Sequence, residues 1–497
     1  MRTLAFLVVV LALPALAGAD APRTLRLDYY HSGTATAEDF SFDRLVVEPL
    51  PWPGPADGRL DPIRAGKYFF EVVDAASGAP LYSRGFASIY GEWETTGEAG
   101  ERRRTFHESL RFPAPEPPRP VRVKISKRDA ANAFALVWES EVDLDDMFVD
   151  ASAPPPQEVL ALQESGAPAS KVDLLLLGDG YTAAERGAFE RQARRLTDAL
   201  FATSPFKERR GDFNVWAICP PAAESGVSRP STGIHRRSPL GATYDAFGSE
   251  RYVLSFENRR WREVAAWASY EFVLVVVNSE TYGGGGILGL YATVAGGNDW
   301  APYVAVHELG HHVAGLADEY YTSPVAYEPQ PKTVEPWEAN VTALLDPAAL
   351  KWADLVDEGT PLPTPWPKAT FEGHSREIQE RRRRIRDERR PEAEMSALFS
   401  EQQAYEEELL GAADLAGKVG AFEGANYEAE GYFRPQVDCV MFTRDRVPFC
   451  AVCARALERV IDLYARPPSP PAPLPEGEGR KRSGIEPPLP LGEGVGG

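Results

Sequence analysis

Three residues, His307, Glu308 and His311, make an HExxH in a 497-residue chain that holds only seven histidines. On a helix, residues four apart share one face, so the two imidazoles can hold a single metal ion. Glu308 leans to the side of that face, within reach of a water in an open coordination position. Zinc lowers the pKa of such a water to about 7, and a nearby carboxylate can take its proton and pass it to a leaving amine. Past Gly315 the chain supplies Asp318-Glu319-Tyr320, a carboxylate near enough to swing back as third ligand. Three protein ligands plus water is the catalytic arrangement for zinc. A plain helix with two surface histidines is the bland alternative, and the carboxylate beyond the turn argues against it. His312 lies about 100° round the helix from His311, off the ligand face.

These side chains need a rigid helix and a turn. Val304, Val306, Leu309, Val313 and Leu316 recur at helical spacings, and Gly315 offers a stop. Upstream, Val172–Leu177, Phe213–Ile218 and Phe272–Val277 read as strands, the first and third buried on both faces. Thr182 can cap a helix running to about Phe201, and a second helix spans Glu257–Ser269. Strands alternating with helices predict an α/β layer. Asp179, at the end of the first strand, reads as a turn-stabilising carboxylate. The glycine-rich Tyr282–Gly297 lacks the lysine of a phosphate loop. It reads as an edge strand to which a peptide could add, with glycines that let substrate come close.

The stretch His307-Glu-Leu-Gly-His-His-Val-Ala-Gly-Leu-Ala-Asp-Glu-Tyr320 resembles the active-site motif of the IgA-specific metalloendopeptidase-like family of bacterial zinc peptidases. The resemblance extends to Leu177-Gly-Asp-Gly-Tyr-Thr182, Tyr282-Gly-Gly-Gly-Gly286, Phe422-Glu-Gly-Ala-Asn-Tyr427, Arg434-Pro435, Cys439-Val-Met441 and Phe449-Cys-Ala-Val-Cys453. It implies Asp318 as third ligand, with Glu319 behind it orienting a ligand or meeting a basic residue, and Met441 as a floor under the zinc. An amino-terminal β domain is usual in such proteins. The pattern is also similar to the metzincins, with one extra residue before the glycine and Asp318 where they carry histidine. Tyr320, Tyr427 and Tyr432 are the candidate oxyanion stabilisers.

The formal charge of −20 excludes nucleic acid and anionic membrane as natural partners. Met1-Arg2-Thr3 and an apolar run from Leu4 to Leu13 predict a signal peptide over 1–19, cleaved after Ala17-Gly18-Ala19. Export to the periplasm or the extracellular space follows, without a membrane anchor, because about ten apolar residues cannot span a bilayer. Cys219, Cys439, Cys450 and Cys453 suit an oxidising compartment. The expected disulfide joins Cys439 to Cys450 or Cys453, pinning the segment around Met441. A structural zinc is the lesser alternative, since no second CxxC exists.

The predicted organisation is an α/β (α+β) zinc-peptidase catalytic domain preceded by an all-β sandwich-like domain. The β domain covers 20–150, where short β runs alternate with Gly and Pro clusters, and His31 and His107 read as ordinary surface or sheet residues. A proline-bearing linker follows at 151–169, then the peptidase domain at 170–466. A charged helical hairpin, about 372–412 and broken near Pro391, reads as a surface excursion, with His374 structural. The repetitive 467–497 reads as a disordered tail. The function this predicts is an exported endopeptidase with one catalytic zinc, acting on protein or peptide substrates. The competing reading is a secreted binding or scaffold protein with a vestigial metal site.

Overall fold

The computed structural model describes residues 21–55, 59–323, 325 and 332–465, so the expected signal peptide and tail lie outside the described residues. The amino-terminal part contains strands β1 (Arg23–Gly33), β2 (Glu38–Pro51), β3 (Tyr68–Asp74) and β4 (Pro80–Phe86). Two short helices follow, α1 (Ile89–Trp93) and α2 (Gly97–Glu101), then β5 (Arg104–Pro113), β6 (Val121–Arg128), β7 (Phe134–Val142) and β8 (Val149–Asp150). They form two four-stranded sheets, β5-β1-β2-β8 and β4-β3-β6-β7. Period-two alternation sends Leu25, Leu27 and Tyr29 from one sheet, and Tyr68, Phe70, Val72, Val121, Val123 and Ile125 from the other, into one shared core. The edge strand β4 carries Pro80 and Gly85, residues that suit a sheet edge. Of the two expectations for His31, surface or sheet, the structure bears out the second, since it lies in β1. It is buried, stacked between Phe40 and Tyr90 at 4.0 and 3.8 Å, and bonded to Glu38 and Glu108.

The carboxy-terminal part is built on β9 (Val159–Gln163), β10 (Val172–Asp179), α3 (Arg186–Leu200), β11 (Phe213–Ile218), β12 (Ala242–Thr243), β13 (Leu254–Ser255) and α4 (Asn258–Ala265). It continues through β14 (Phe272–Val277), β15 (Gly284–Ile287), β16 (Tyr291–Ala295) and α5 (Ala301–Ala314). The main sheet runs β15-β16-β14-β10-β11-β9, parallel at its centre with antiparallel strands at both edges. Leu174, Leu176 and Val276 face a core shared with α3 and α5, while Leu175, Leu177, Val273 and Val275 face the layer of α4 and Trp261. With both faces covered, the central strands carry unbroken apolar runs. The expected linker departs from expectation here: residues 159–163 form β9, which pairs with β11, because the segment gains a ladder and Leu160 and Leu162 gain partial burial at the sheet edge.

The charged hairpin is α6 (Lys368–Asp387) and α7 (Glu392–Gly411), broken at Pro391 as expected. It is not a surface excursion. Phe371, Ile378, Ile385, Met395, Leu398 and Phe399 enter the main core, and Arg382 and Arg386 reach inward to Glu250 at 3.2 Å each. The fold closes with the hairpin β17 (Phe422–Ala425) and β18 (Glu428–Arg434) and with α8 (Ala451–Tyr464). The β domain docks on this body through the Ala87 N–H to Leu288 carbonyl bond of 3.0 Å and Arg111, which bonds the Tyr270 carbonyl. Among the described residues no helix is long and apolar enough to cross a membrane.

Candidate active site

Helix α5 begins with Pro302 in its first turn and ends at Gly315, whose φ of 60° is left-handed. A side chain at Gly315 would also meet Trp337 and Leu288 at 2.8 and 3.1 Å, so the turn needs glycine twice over. The chain then doubles back. Leu316 presents its carbonyl to His311 Nδ1 at 2.5 Å, and Asp318 arrives over the two histidines. Asp318 Oδ1 lies 2.9 Å from His307 Nε2 and 3.3 Å from His311 Nε2, and the two Nε2 atoms are 3.2 Å apart. His307 Nδ1 faces the Val440 carbonyl at 3.0 Å.

This arrangement tests the metal reading. Each Nδ1 faces a carbonyl and so carries its ring's proton, which turns the Nε2 lone pairs of the neutral rings toward Asp318. Asp318 Oδ1 is buried with no hydrogen-bond donor of its own. Three acceptors in such contact repel unless positive charge sits between them. Ligand atoms about 2.0–2.1 Å from a tetrahedral zinc stand about 3.3 Å apart, close to all three separations. Burial opposes charge on Asp318, yet His311 and His307 hold its carboxyl well below the ordinary range. Burial likewise opposes charge on His311, and Asp318 nevertheless pushes it up to about 9. The cluster is a point of strong cation demand, and proton and metal compete for it.

Glu308, one residue past His307, lines the cleft beside His307, His311 and Asp318 without joining their cluster. Burial raises its carboxyl above the ordinary value, with His307 and His311 pulling it back. The cleft measures about 840 Å³ and takes its walls from both parts of the chain, including Arg128 and Asn132 on one side and Gln402 and Glu406 of α7 on another. Gly284, Gly285 and Gly286 border it, but their missing side chains do not make room for substrate. A Cβ on Gly284 or Gly286 would strike Val304 and the Glu308 carbonyl of α5 at 2.5 and 2.4 Å, and one on Gly285 the Tyr252 ring. Gly284 and Gly286 let α5 lie directly on β15. That strand is the sheet edge as expected, yet its outer rim at Gly284 is already bonded to Arg251 and Val253.

The three tyrosines separate in role. Tyr427 donates to Asp318 Oδ2 at 2.5 Å and so holds that carboxylate in place. It occupies a two-residue hairpin turn with Asn426, both left-handed at φ 65° and 51°, as a type I′ connection requires. Tyr320 stacks on the His307 ring and accepts from Arg251 at 3.2 Å, beside the metal cluster. Tyr432 packs with Ala317, Val341 and Ala425. Tyr427→Phe is expected to lower metal affinity about tenfold, the scale set by removing a partner that orients a ligand. Competition titration against a chromophoric chelator measures this, and unchanged affinity would refute the positioning role.

Met441 is buried beneath α5, its sulfur 2.8 Å from where a Gly310 side chain would start. Val440, which lies inside the Cys439-Val-Met441 motif without an expected role there, faces His307 Nδ1 with its carbonyl. Glu319 does not back the ligand set: it turns away from Asp318, accepts from Asn340 at 2.9 Å and meets Cys453. The expected disulfide is not formed either. Cys439, Cys450 and Cys453 are free, with the sulfurs of Cys439 and Cys453 3.9 Å apart. Asp179 behaves as expected, accepting from Ser238 and from the amides of Leu240 and Ala242.

His312 lies off the ligand face and ties the helix to the sheet, through the Ile287 carbonyl at 2.9 Å and the Val273 amide at 3.0 Å. Burial pushes its pKa down to about 4 from 6.5. The unfolded chain therefore binds the extra proton first, so this contribution is present above pH 6.5 and lost as pH falls toward 4. The difference corresponds to about 3 kcal/mol. His312→Ala should keep its metal, lose stability at pH 7, and show a shallower loss of stability between these values. Urea denaturation across pH checks this, and parallel profiles for the two proteins would overturn it.

No curated protein matches the chain. Two family models do: Peptidase M64 N-terminus over residues 19–139, and IgA Peptidase M64 over residues 160–461. The second spans the six-stranded sheet, α5, the hairpin carrying Tyr427 and most of α8, and on that match the chain belongs to the IgA peptidase M64 family.

Proposed function

We propose that the protein is an exported zinc-dependent endopeptidase, with His307, His311 and Asp318 as metal ligands and Glu308 as general base. Family membership implies a peptidase, which acts on protein or peptide substrates, and supports a metal-dependent one. The observation that carries the finer reading is the convergence of two imidazole nitrogens and a buried carboxylate oxygen, itself without a hydrogen-bond donor, on one point of an open cleft. Zinc bound there would polarise the scissile carbonyl and acidify a water. Glu308 takes the proton of the attacking water and returns it to the leaving nitrogen. Val440 and Leu316 keep the two histidines in the ligating tautomer through their carbonyls. Tyr427 fixes Asp318, and the half-buried Arg251–Tyr320 pair supplies positive charge and a hydroxyl at the cleft wall.

Export rests on the leader at 1–19, with the mature chain starting at Asp20. The organisation we propose is a β domain over 20–150 and a peptidase domain that begins with β9. Peptide-library cleavage by the secreted chain, with and without chelator, tests the activity, and amino-terminal sequencing of the same preparation tests the leader. Chelator-sensitive cleavage within peptides is expected. A preparation that binds zinc yet cleaves no peptide would instead favour the scaffold reading.

A further inference from the structure

We propose that Glu319, Cys439, Cys450 and Cys453 form a second metal site, which holds a structural zinc ion behind the catalytic centre. The four ligand atoms lie within 4.8 Å of one another, and all four residues are buried. Cys439 and Cys453 present their sulfurs 3.9 Å apart, and Cys453 lies 3.3 Å from Glu319 Oε1. Around a tetrahedral zinc with bonds of about 2.3 Å to sulfur and about 2.0–2.2 Å to oxygen, those separations are about 3.8 and about 3.5 Å. A disulfide needs about 2.05 Å.

The surroundings favour charged sulfur. The Cys450 amide donates to the Cys439 sulfur at 3.2 Å, and the Cys453 amide to the Cys450 sulfur at 3.4 Å. Cys450 is the N-cap of α8, so two of the sulfurs sit at the positive end of a helix. Glu319 Oε2 is buried without a hydrogen-bond partner. A disulfide between any two of the three cysteines would leave one odd thiol and this carboxylate sealed in the core, whereas four protein ligands close a structural site. The buried Arg434 guanidinium offsets part of the negative charge that such a ligand set carries.

The site touches the catalytic centre through two short links. Val440, next to Cys439, holds His307, and the Met441 carbonyl accepts from the Glu319 amide at 2.9 Å, one residue from Asp318. An ion clamping Cys439 and Glu319 would thus fix a first ligand's acceptor and the third ligand's neighbour together.

The test is metal content of the full mature chain, purified without reductant or chelator. Two zinc ions per chain are expected, instead of the one that HExxH alone predicts. The His307→Ala/His311→Ala variant, which leaves the cysteines untouched, should keep one. Loaded with cobalt, that variant should show a near-ultraviolet thiolate-to-cobalt charge-transfer band, lost on adding Cys453→Ser. A folded His307→Ala/His311→Ala variant holding no metal would overturn the proposal. So would a parent chain lighter by two hydrogens, with one of the three clustered cysteines alone open to alkylation. Failure of the catalytic site reads differently: the parent would then hold one zinc, and its cobalt form would show the thiolate band.

Discussion

Glutamine at position 308 is expected to cut peptide cleavage by about 10³-fold while leaving fold and bound metal intact. Glu308 is not among the converging ligand atoms, so its replacement should not loosen the ion. Its side chain leans on Gly284, where a Cβ would stand 3.3 Å from Glu308 Cγ, and glutamine has the same shape at that contact. What the amide lacks is basicity: it can accept a hydrogen bond from water but cannot keep the proton. Burial raises the Glu308 carboxyl and the two histidines pull it back, which brings the base closer to working pH than a free carboxylate. The acidic limb of kcat against pH should therefore vanish with the carboxylate in Glu308→Gln. Turnover of an internally quenched peptide, measured beside zinc content, decides the matter. A variant that retains zinc and a tenth or more of parental kcat would remove Glu308 from the chemistry.

How much of this was legible depended on whether a residue's partner lay nearby in sequence. Strands β10, β11 and β14 announce themselves because helices cover both their faces, and α5 because its ligands and apolar residues share one helical period. The strand β9 was hidden in proline-bearing sequence, since its reason for existing is β11, about fifty residues on. The hairpin α6–α7 looked like a solvated surface because its arginines are numerous. Two of them, Arg382 and Arg386, turn inward to Glu250, which is 132 positions from Arg382, while Arg381 and Arg384 pair with Glu401 and Glu380 within the hairpin. The glycines of β15 were read as room for substrate, and only the docked helix shows what fills that room. Asp318 and Glu319 illustrate the limit most clearly. Neighbours in extended chain point to opposite sides, so one carboxylate had to leave the metal, but its destination among cysteines some 120–134 residues away carries no local signal.

Removal of the Asp318 carboxylate should weaken zinc at the HExxH by about 100-fold or more, exceeding the effect of removing a partner that only orients a ligand. The argument starts from charge. Two neutral imidazoles alone give a divalent ion no compensating negative charge, and Asp318 is the carboxylate whose oxygen lies within 3.3 Å of both Nε2 atoms. It is also the group that pushes His311 up to about 9, against the effect of burial. In Asp318→Ala the His311 pKa should fall, and its titration by NMR in the metal-free protein gives a readout independent of zinc. Asp318→Asn separates charge from shape. It can still meet the Tyr427 hydroxyl, so an affinity between those of the parent and Asp318→Ala would assign part of the effect to geometry. The Gly315 turn, the Asn340 contacts to Ala317 and the Asn426 amide to the Asp318 carbonyl hold the backbone without the side chain, so circular dichroism should match the parent. Equal zinc affinity in Asp318→Ala and parent, with the fold unchanged, would mean that the catalytic ion is held without this carboxylate.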